Sequence, residues 1–353
     1  MSGGARYTEA RNAGLVSVSA PTPAFMRVGI TTALLLASAC RAGDVPDRLV
    51  RAFSDPLHAD SMGARPISVR KVAMREPKDL VESSAAVMSQ TQAGVFFTIN
   101  DSGNDAVLFA LDTAGNTRGR WNVENATNHD WEAATRGPCL RVSANASPPA
   151  KSCLFLGDVG DNGAARRVVV LYQVEEPAAT GRSATGTLRA DKLVLRYPDG
   201  PHDVESMYVG PDGTAYLLTK RPLKGVAGEL RGSLVFTIPA VGWLTRDTIT
   251  AILLDSLPIV PGSSAHRRLT DASLSPDSRL LAVRTYGQVY IFVTDSSTGR
   301  VINAVAPSVC NIEDIEGLPG EGITWVGAGP QLLLTREGRN APIQIITCPL
   351  PQR

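Results

Sequence analysis

The sequence has almost no net charge. Its 35 lysine and arginine residues and 34 aspartate and glutamate residues give a formal charge of +1 at pH 7. Domains that bind nucleic acid usually concentrate basic residues on one face and have a basic pI. The balanced composition therefore predicts that nucleic acid is not a partner of this protein.

Long helical patterns are also missing. No segment carries apolar residues at the helical period over several turns, which excludes Rossmann and TIM-barrel folds because both need helices between their strands. The chain has instead many apolar runs of about 5–8 residues between turn sequences such as PDG, DSGN, TAGN and SPDS. These runs are rich in valine, leucine, phenylalanine and tyrosine, which is typical of an all-β protein with short strands.

Motifs for several kinds of catalytic site are absent as well. The sequence contains no GxSxG motif, no CxxC motif and only four histidines. A serine or cysteine hydrolase is therefore unsupported, and a zinc site is not expected because zinc prefers cysteine and histidine ligands.

An apolar run near the start indicates export. Residues 28–39 follow Arg27, and these 12 residues are too few to span a bilayer but suit the hydrophobic part of a signal peptide. The run ends in ASAC, which resembles a bacterial lipobox, so we predict lipidation at Cys40 and a lipoprotein in the periplasm or at the cell surface. Plain secretion after cleavage near Ala39 is the alternative, and Met26 is an alternative start of the chain.

The rest of the chain contains five similar units. In each unit an acidic or hydroxyl residue begins an apolar strand, a turn follows, and a second apolar strand ends in polar residues. The units begin at Glu82, Glu132, Glu205, Thr270 and Glu321. By subtraction these starts are 50, 73, 65 and 51 residues apart, which fits propeller blades of about 40–50 residues with loop insertions.

We therefore predict a single β-propeller over residues 65–353, after an export segment at 1–40 and a flexible tether at 41–64. The fold class is all-β, with five four-stranded antiparallel blades around a central channel. A sixth blade is the alternative if residues 230–265 form one. The last unit is short, so residues 67–74 are expected to complete its blade from the other end of the chain.

Four cysteines remain after Cys40, and four cysteines allow three pairings. Cys139 and Cys153 flank a polar, proline-rich loop, as a disulfide across a hairpin would. Cys310 and Cys348 would then join the end of the chain to its last blade. Four free buried thiols are the alternative.

The residues that open the units are candidate metal ligands. Inner strands of a propeller converge on the channel, so equivalent residues of all blades meet there. Converging carboxylates repel unless they are protonated or neutralised by a cation. Hard oxygen ligands suit Ca²⁺, which accepts about 6–8 of them. The predicted ligands are Glu82 (or Ser83), Glu132, Glu205, Thr270 and Glu321. Local hydrogen bonds to turns or backbone are the alternative role for these residues.

Further polar residues are predicted on the same channel face, where second strands end or inner strands begin. Lys220 and Arg284 could hold phosphate, sulfate or carboxylate, and Asp158 or Asp161 could act as a base on metal-bound water. The remaining candidates for this face are Asp101, Asp130, Asn162, Asp203 and Asp271. Alternatively, GDVGDN is a local turn whose aspartates cap backbone amides.

The order of several short motifs is similar to that of a family of exported bacterial propeller proteins. The motifs are NDSGN, DWE, GDVGDN, DVES, TDASLSPD and GEGI, and the resemblance covers residues 80–340. The unit-opening residues also resemble, more distantly, those of the five-bladed calcium-dependent apyrase family. That resemblance implies a calcium ion on the central axis, surrounded by carboxylate and hydroxyl groups at the head of each inner strand.

These observations lead to three functional hypotheses. The first is a monomeric, lipid-anchored propeller whose calcium-stabilised channel face binds a small anionic ligand or an extracytoplasmic protein partner. The second is a metal-dependent hydrolase of phosphoanhydrides or phosphoesters, and the third is a lactonase- or esterase-type propeller. The hydrolase needs a base, Asp158 or Asp161, and the two cations Lys220 and Arg284 at one mouth of the channel. A binding module does not need this combination.

Overall fold

The computed structural model describes residues 63–74, 77–140, 152–181, 183–220, 232–259, 268–315 and 320–352. The predicted export segment with Cys40, and the tether up to residue 62, lie outside these ranges. The described part is mainly β-structure, with short 3₁₀ helices at Ala240–Leu244 and Glu313–Ile315. A search of these residues finds no helix with the length and apolar character needed to cross a membrane.

The strands follow one another along the chain with short connections. In chain order they are β1 (Ser68–Val72), β2 (Val87–Met88), β3 (Val95–Ile99), β4 (Val107–Asp112), β5 (Thr117–Glu124), β6 (Trp131–Gly137), β7 (Cys153–Asp158), β8 (Val169–Glu175), β9 (Ala184–Arg189), β10 (Asp191–Arg196), β11 (Val204–Val209), β12 (Ala215–Thr219), β13 (Ser233–Ile238), β14 (Ile249–Thr250), β15 (Ile252–Leu257), β16 (Leu269–Leu274), β17 (Leu280–Thr285), β18 (Gln288–Val293), β19 (Ser308–Asn311), β20 (Gly320–Trp325), β21 (Gln331–Arg336) and β22 (Ile343–Thr347).

These strands form five sheets, which are the five propeller blades that the sequence predicts. From the inner to the outer strand, blade 1 is β2-β3-β4-β5, blade 2 is β6-β7-β8-β10, blade 3 is β11-β12-β13-β15, blade 4 is β16-β17-β18-β19 and blade 5 is β20-β21-β22-β1. The inner strands of neighbouring blades contact one another around the channel. Residues 232–259 supply strands to blades 2 and 3, so the alternative of a sixth blade there is wrong.

Blades 1 and 2 each have a fifth strand, which the sequence did not predict. β9 pairs in parallel with β5, and β14 pairs in parallel with β10. In both cases the chain leaves its own blade before the outermost strand, adds a short strand to the outer edge of the preceding blade, and returns. These excursions fall within the two longest separations between unit starts, so they account for the predicted loop insertions.

The strand β1 closes the ring. It pairs antiparallel with β22, from Ser68 opposite Thr347 to Val72 opposite Ile343. The segment near the N-terminus therefore completes the last blade, as the sequence predicted. Pairing begins even earlier, because Ala64 at the end of the predicted tether forms a bridge with Cys310.

The hydrophobic core consists of layers between neighbouring blades. Strand β7 contributes to two of these layers. Successive side chains of a strand point to opposite faces of the sheet. Leu154 and Leu156 pack with Phe97 of blade 1, whereas Phe155 packs with Phe236 of blade 3. Both faces of β7 are thus buried, which explains why this strand begins with a continuous apolar run.

Both predicted disulfides are confirmed. Cys139 and Cys153 are joined within blade 2, with their Cα atoms 5.0 Å apart. Cys310 of β19 is joined to Cys348, which follows β22, with a Cα separation of 5.8 Å. The second bond therefore connects blade 4 to blade 5 near the end of the chain, and the alternative of four free thiols is wrong.

Candidate metal-binding site at the channel

Four inner strands have the same irregularity near their start. The pairing register with the second strand shifts there, as it does at a β-bulge, which places an extra residue on one strand and re-aims its side chain. The shifts lie between Trp131 and Ala133, between Val204 and Ser206, between Leu269 and Asp271, and between Gly320 and Ile323. The residues omitted from the register include Glu132, Glu205, Thr270 and Glu321. The sequence repeat thus corresponds to a repeated bulge.

Blade 1 has its extra residue slightly later than the sequence predicted. Ser83 is paired with Asn100, and Val87 is paired with Phe97. Between these two pairs the inner strand contains one residue more than the second strand. Ser84 directly follows a paired residue, as Glu132 does, and so occupies the equivalent position. Glu82 lies two residues earlier, is exposed, and accepts a hydrogen bond from Nδ2 of Asn104 at 3.1 Å.

Glu132, Glu205 and Glu321 form an electrostatically coupled group, which we call the axial acids. Their side chains are buried, with 5%, 1% and 5% of their surface exposed. Burial raises the pKa of Glu132 and of Glu321, and the negative charge of Glu205 raises both further. Because burial disfavours the charged form of a carboxyl group, this arrangement favours either a proton or a cation at the channel.

Lys220 is in direct contact with one of the axial acids, Glu205. Its Nζ donates a hydrogen bond to Oε1 of Glu205 at 2.7 Å, and both side chains are buried. Burial acts to lower the pKa of Lys220, but attraction to Glu205 is stronger in total and raises it, so this lysine stays charged. The pKa values of Glu132 and Glu321 remain raised despite this positive charge.

Asp101, Asp130 and Glu132 form a second group, which we call the carboxylate trio. One carboxylate oxygen from each residue lies within 4.8 Å of those from the other two. Asp101 follows β3 of blade 1, whereas Asp130 and Glu132 lie at the start of β6 of blade 2. Burial, followed by the charge of Asp101, raises the pKa of Asp130 to about 6. Two neighbouring blades therefore bring three repelling carboxylates together.

The carboxylate trio is close enough for its three residues to bind one metal ion. Ca²⁺–oxygen distances are about 2.3–2.6 Å, so two oxygens on one ion can be about 4.6–5.2 Å apart. The trio would supply only part of the coordination shell of about 6–8 oxygens, and backbone carbonyls, water or a ligand could supply the rest.

Asp158 and Arg166 lie next to this trio. Oδ1 of Asp158 accepts a hydrogen bond from the backbone amide of Asp130 at 3.0 Å and forms an ion pair with Nη2 of Arg166 at 2.9 Å. The Asp158 side chain is completely buried. Asp158 thus holds the start of β6, and with it the backbone that carries Asp130.

Asp161 accepts backbone hydrogen bonds within a local turn, which is the alternative role that the sequence left open for it. Its two carboxylate oxygens accept hydrogen bonds from the backbone amides of Ala165 and Arg166 at 2.9 and 2.7 Å. Its own amide donates to Oδ1 of Asp203 at 3.0 Å, and Asp203 is buried. The next residue, Asn162, is exposed. Asp161 and Asp203 therefore fix the loop after β7 against the start of blade 3.

Arg284 and Asp271 lie in the interior of the ring, both with 0% of their surface exposed. Nη1 of Arg284 donates to the carbonyl oxygens of Gly322 and Thr335 at 2.6 and 2.7 Å. Asp271 accepts a hydrogen bond from the amide of Ile323 at 2.8 Å. These contacts join blade 4 to blade 5, and they leave the Arg284 guanidinium inaccessible to a ligand at the channel mouth.

Thr270 also joins neighbouring blades. Its Oγ1 donates a hydrogen bond to the carbonyl oxygen of Glu321 at 3.0 Å, and its side chain is buried. Ser84 makes a similar contact, because its Oγ donates to the carbonyl oxygen of Trp131 at 2.8 Å. The two hydroxyl residues at bulge positions therefore bind the backbone of the next inner strand.

Two residues beside the axial acids were not predicted from the sequence. Tyr286 and Glu337 directly follow β17 and β21, as Lys220 follows β12. Burial and the charge of Glu321 raise the pKa of Tyr286, and Glu337 shares a hydrogen bond with Glu321. An alignment of the strand ends LTK, RTY and TRE would have found both residues, because each occupies the last position of its triplet.

Comparison with known proteins leaves the activity open. No protein-family model matches the chain, and no curated protein sequence matches it. A gluconolactonase from Xanthomonas campestris is similar in structure, with 14% identity and a TM-score of 0.40 over 81% of this chain and 92% of that chain. A streptogramin B lyase has 10% identity and a TM-score of 0.38, over 79% of this chain and 97% of that chain. A luciferin-regenerating enzyme has 9% identity and a TM-score of 0.35, over 80% of this chain and 82% of that chain. At these identities and TM-scores, no property of these proteins is assigned to this chain.

Proposed function

We propose that this protein binds one calcium ion at the carboxylate trio and uses it to hold a small anionic ligand at the channel. The close approach of Asp101, Asp130 and Glu132 carries the proposal. Three carboxylates at this spacing repel one another, and the raised pKa values of Asp130 and Glu132 express that repulsion together with burial. A bound Ca²⁺ would replace the protons and present positive charge to an anion.

The contacts around the trio favour a binding module over a hydrolase. A phosphoanhydride hydrolase would need an available base and a pair of cations to hold the anion. Here both oxygens of Asp161 accept backbone hydrogen bonds, and Asp158 is paired with Arg166. Arg284 is buried against backbone carbonyls, and Lys220 is paired with Glu205.

The proposed calcium position differs from the one that the apyrase resemblance implies. An axial ion would be shared by all five blades, whereas the trio belongs to blades 1 and 2. Glu132 is common to both arrangements, because it is an axial acid and a member of the trio. Its substitution therefore tests calcium binding in either position, and substitution of Asp130 distinguishes the two.

Calcium titration of the purified protein tests this proposal. We expect Ca²⁺ to bind and to raise the melting temperature, because a ligand present at 100 times its Kd stabilises the folded state by about 2.7 kcal/mol. Asp130→Asn and Glu132→Gln should each weaken binding at least tenfold, measured by isothermal titration calorimetry. The control is Glu313→Gln, which removes an exposed acid remote from the carboxylate trio in sequence.

Two results would overturn parts of this proposal separately. A melting temperature that is indifferent to calcium and chelator would remove the metal site. Calcium-dependent release of phosphate from a nucleotide or a phosphoester, lost in Glu132→Gln, would retain the metal but replace the binding module with a hydrolase.

We also propose that the protein is exported and anchored by a lipid on Cys40. The signal-like run at 28–39 supports export, and so do the two disulfides, because disulfides persist mainly in oxidising compartments. A labelled fatty acid should be incorporated at Cys40, and Cys40→Ala should abolish labelling and release the protein from membranes. Recovery of unlabelled, soluble wild-type protein cleaved before residue 40 would contradict the anchor.

A further inference from the structure

A cavity lies at the end of the inner strands opposite to the carboxylate trio. Its volume is about 270 Å³, and every blade contributes to its wall. Representative wall residues are Val87, Arg136, Val209, Leu274 and Thr324, one from each inner strand. Along β6, Arg136 follows Glu132 by four residues, which corresponds to about 13 Å at 3.3 Å per residue.

Arg136 is the one charged residue among the described residues that line this cavity. Burial lowers its pKa, while the negative charge of Glu176 opposes that change without cancelling it. Within the described ranges, the guanidinium forms neither a hydrogen bond nor an ion pair. An arginine keeps its charge at neutral pH, so a partly desolvated cation faces this cavity, and no carboxylate of the described residues forms an ion pair with it.

Glu176 acts on Arg136 through its charge, but its carboxylate forms no ion pair with this arginine in the described part of the chain. Its Oε1 accepts hydrogen bonds from the hydroxyls of Ser89 and Thr91, the latter at 2.6 Å. Burial acts to raise the pKa of Glu176, but these hydrogen bonds outweigh burial and lower it. The carboxylate is therefore stabilised by neutral groups, and Arg136 remains available to another anion.

The surroundings of Arg136 have the composition of a small-molecule site. The cavity wall also carries the side chains of Gln90, Thr135 and Ser273, which can donate or accept hydrogen bonds. An adjoining hollow of about 380 Å³ shares Arg136 and includes the apolar side chains of Met88 and Trp325. Small-molecule sites typically combine apolar walls with a few polar groups that fix orientation.

We propose that this cavity binds a small organic oxyanion, a carboxylate or a phosphate monoester, through the guanidinium of Arg136. The planar guanidinium can donate two parallel hydrogen bonds to either group. The polar side chains of the wall would orient the ligand, and the adjoining hollow would accept its apolar part. This site is separate from the carboxylate trio and needs no metal ion.

Titration with benzoate, phenyl phosphate and inorganic phosphate tests the proposal, with a chelator present to separate this site from calcium. We expect at least one of these probes to bind the wild-type protein. Arg136→Gln should weaken binding more than tenfold, and Arg136→Lys should be intermediate because it keeps the charge but loses the planar fork. Arg246→Gln is the control, since Arg246 is exposed and does not line the cavity.

The stability of the unliganded variants separates a ligand-binding role from a structural one. Arg136→Gln should melt at or above the wild-type temperature, because it removes a partly buried charge that makes no hydrogen bond to the described part of the chain. A large fall in melting temperature would assign Arg136 a structural role and overturn the proposal. Equal binding by wild type and Arg136→Gln, no binding of any probe, or loss of binding in Glu132→Gln would also overturn it. None of these results bears on calcium binding by the trio.

Discussion

At the scale of single residues, the side chains at the bulge positions have different partners. Glu205 contacts Lys220, Thr270 donates to a backbone carbonyl, and Glu132 lies beside Asp101 and Asp130. A repeated position in the backbone therefore does not produce a repeated chemical role. Among these positions, Glu132 combines burial with two nearby carboxylates, and this combination makes it the candidate ligand.

The raised pKa of Asp130 predicts how stability depends on pH. In the unfolded chain the pKa of an aspartate is about 3.9. In the folded protein, burial and the charge of Asp101 raise the pKa of Asp130 to about 6. The folded state therefore binds the proton more tightly, so stability without metal falls as the pH rises from about 4 through about 6. The raised pKa values of Glu132 and Glu321 act in the same direction.

Calorimetric melting in chelator between pH 4.5 and pH 8 checks this prediction. The wild-type melting temperature should fall with rising pH, and saturating calcium at pH 7 should reverse part of the fall. Asp130→Asn should show a shallower fall because its side chain does not titrate. An unchanged slope in Asp130→Asn would mean that Asp130 ionises normally in the folded protein.

At the scale of elements, short strands cover the outer edges of several blades. β9 lies along β5, and β14 lies along β10. An uncovered edge strand presents unpaired backbone groups and favours edge-to-edge association. These added strands therefore protect blades 1 and 2, and β1 does the same for β22 in blade 5.

Removal of β1 should destabilise the whole ring. A chain that begins at Ala73 lacks residues 68–72, so β22 loses the backbone partner that closes blade 5. We expect its melting temperature to be several degrees below that of a chain beginning at Gly63, which retains the strand. A synthetic peptide of residues 65–74 should restore part of the difference. Equal melting temperatures would show that the ring does not depend on this closure.

At the scale of the whole molecule, the two disulfides stabilise the ring to different extents. The Cys139–Cys153 bond spans 14 residues and the Cys310–Cys348 bond spans 38. Loop-closure entropy predicts contributions of about 3 and about 4 kcal/mol, because a longer loop restricts the unfolded chain more.

Denaturant unfolding of the two double-alanine variants measures these contributions. Cys310→Ala with Cys348→Ala should lower the free energy of unfolding more than Cys139→Ala with Cys153→Ala. The reverse order would mean that contacts within blade 2, and not loop closure, determine the effect of the bonds. Reduction of the wild-type protein should reproduce the sum of the two losses if the sites are independent.

Much of the fold could be predicted from the sequence because its causes are local. Short apolar runs between turn residues define the strands, and the repeat of Glu132, Glu205, Thr270 and Glu321 defines the blades. The cysteine spacing and the segment at 67–74 predict the disulfides and the closure of the ring. The parallel strands β9 and β14 were not predicted, because neither sequence is an apolar run and each forms a strand only where another blade offers an edge.

The candidate site was predicted as a set of residues, and only the tertiary structure decided how they are grouped. Strand pairing places Ser84, and not Glu82, at the equivalent position in blade 1. Packing between blades buries Arg284 and brings Asp101 beside Asp130 and Glu132. The charge state of a side chain depends on neighbours that other blades supply, and a sequence repeat carries no information about those distances. The sequence by itself therefore determined the ring and the carboxylates on it, whereas the folded ring decided which carboxylates can share an ion.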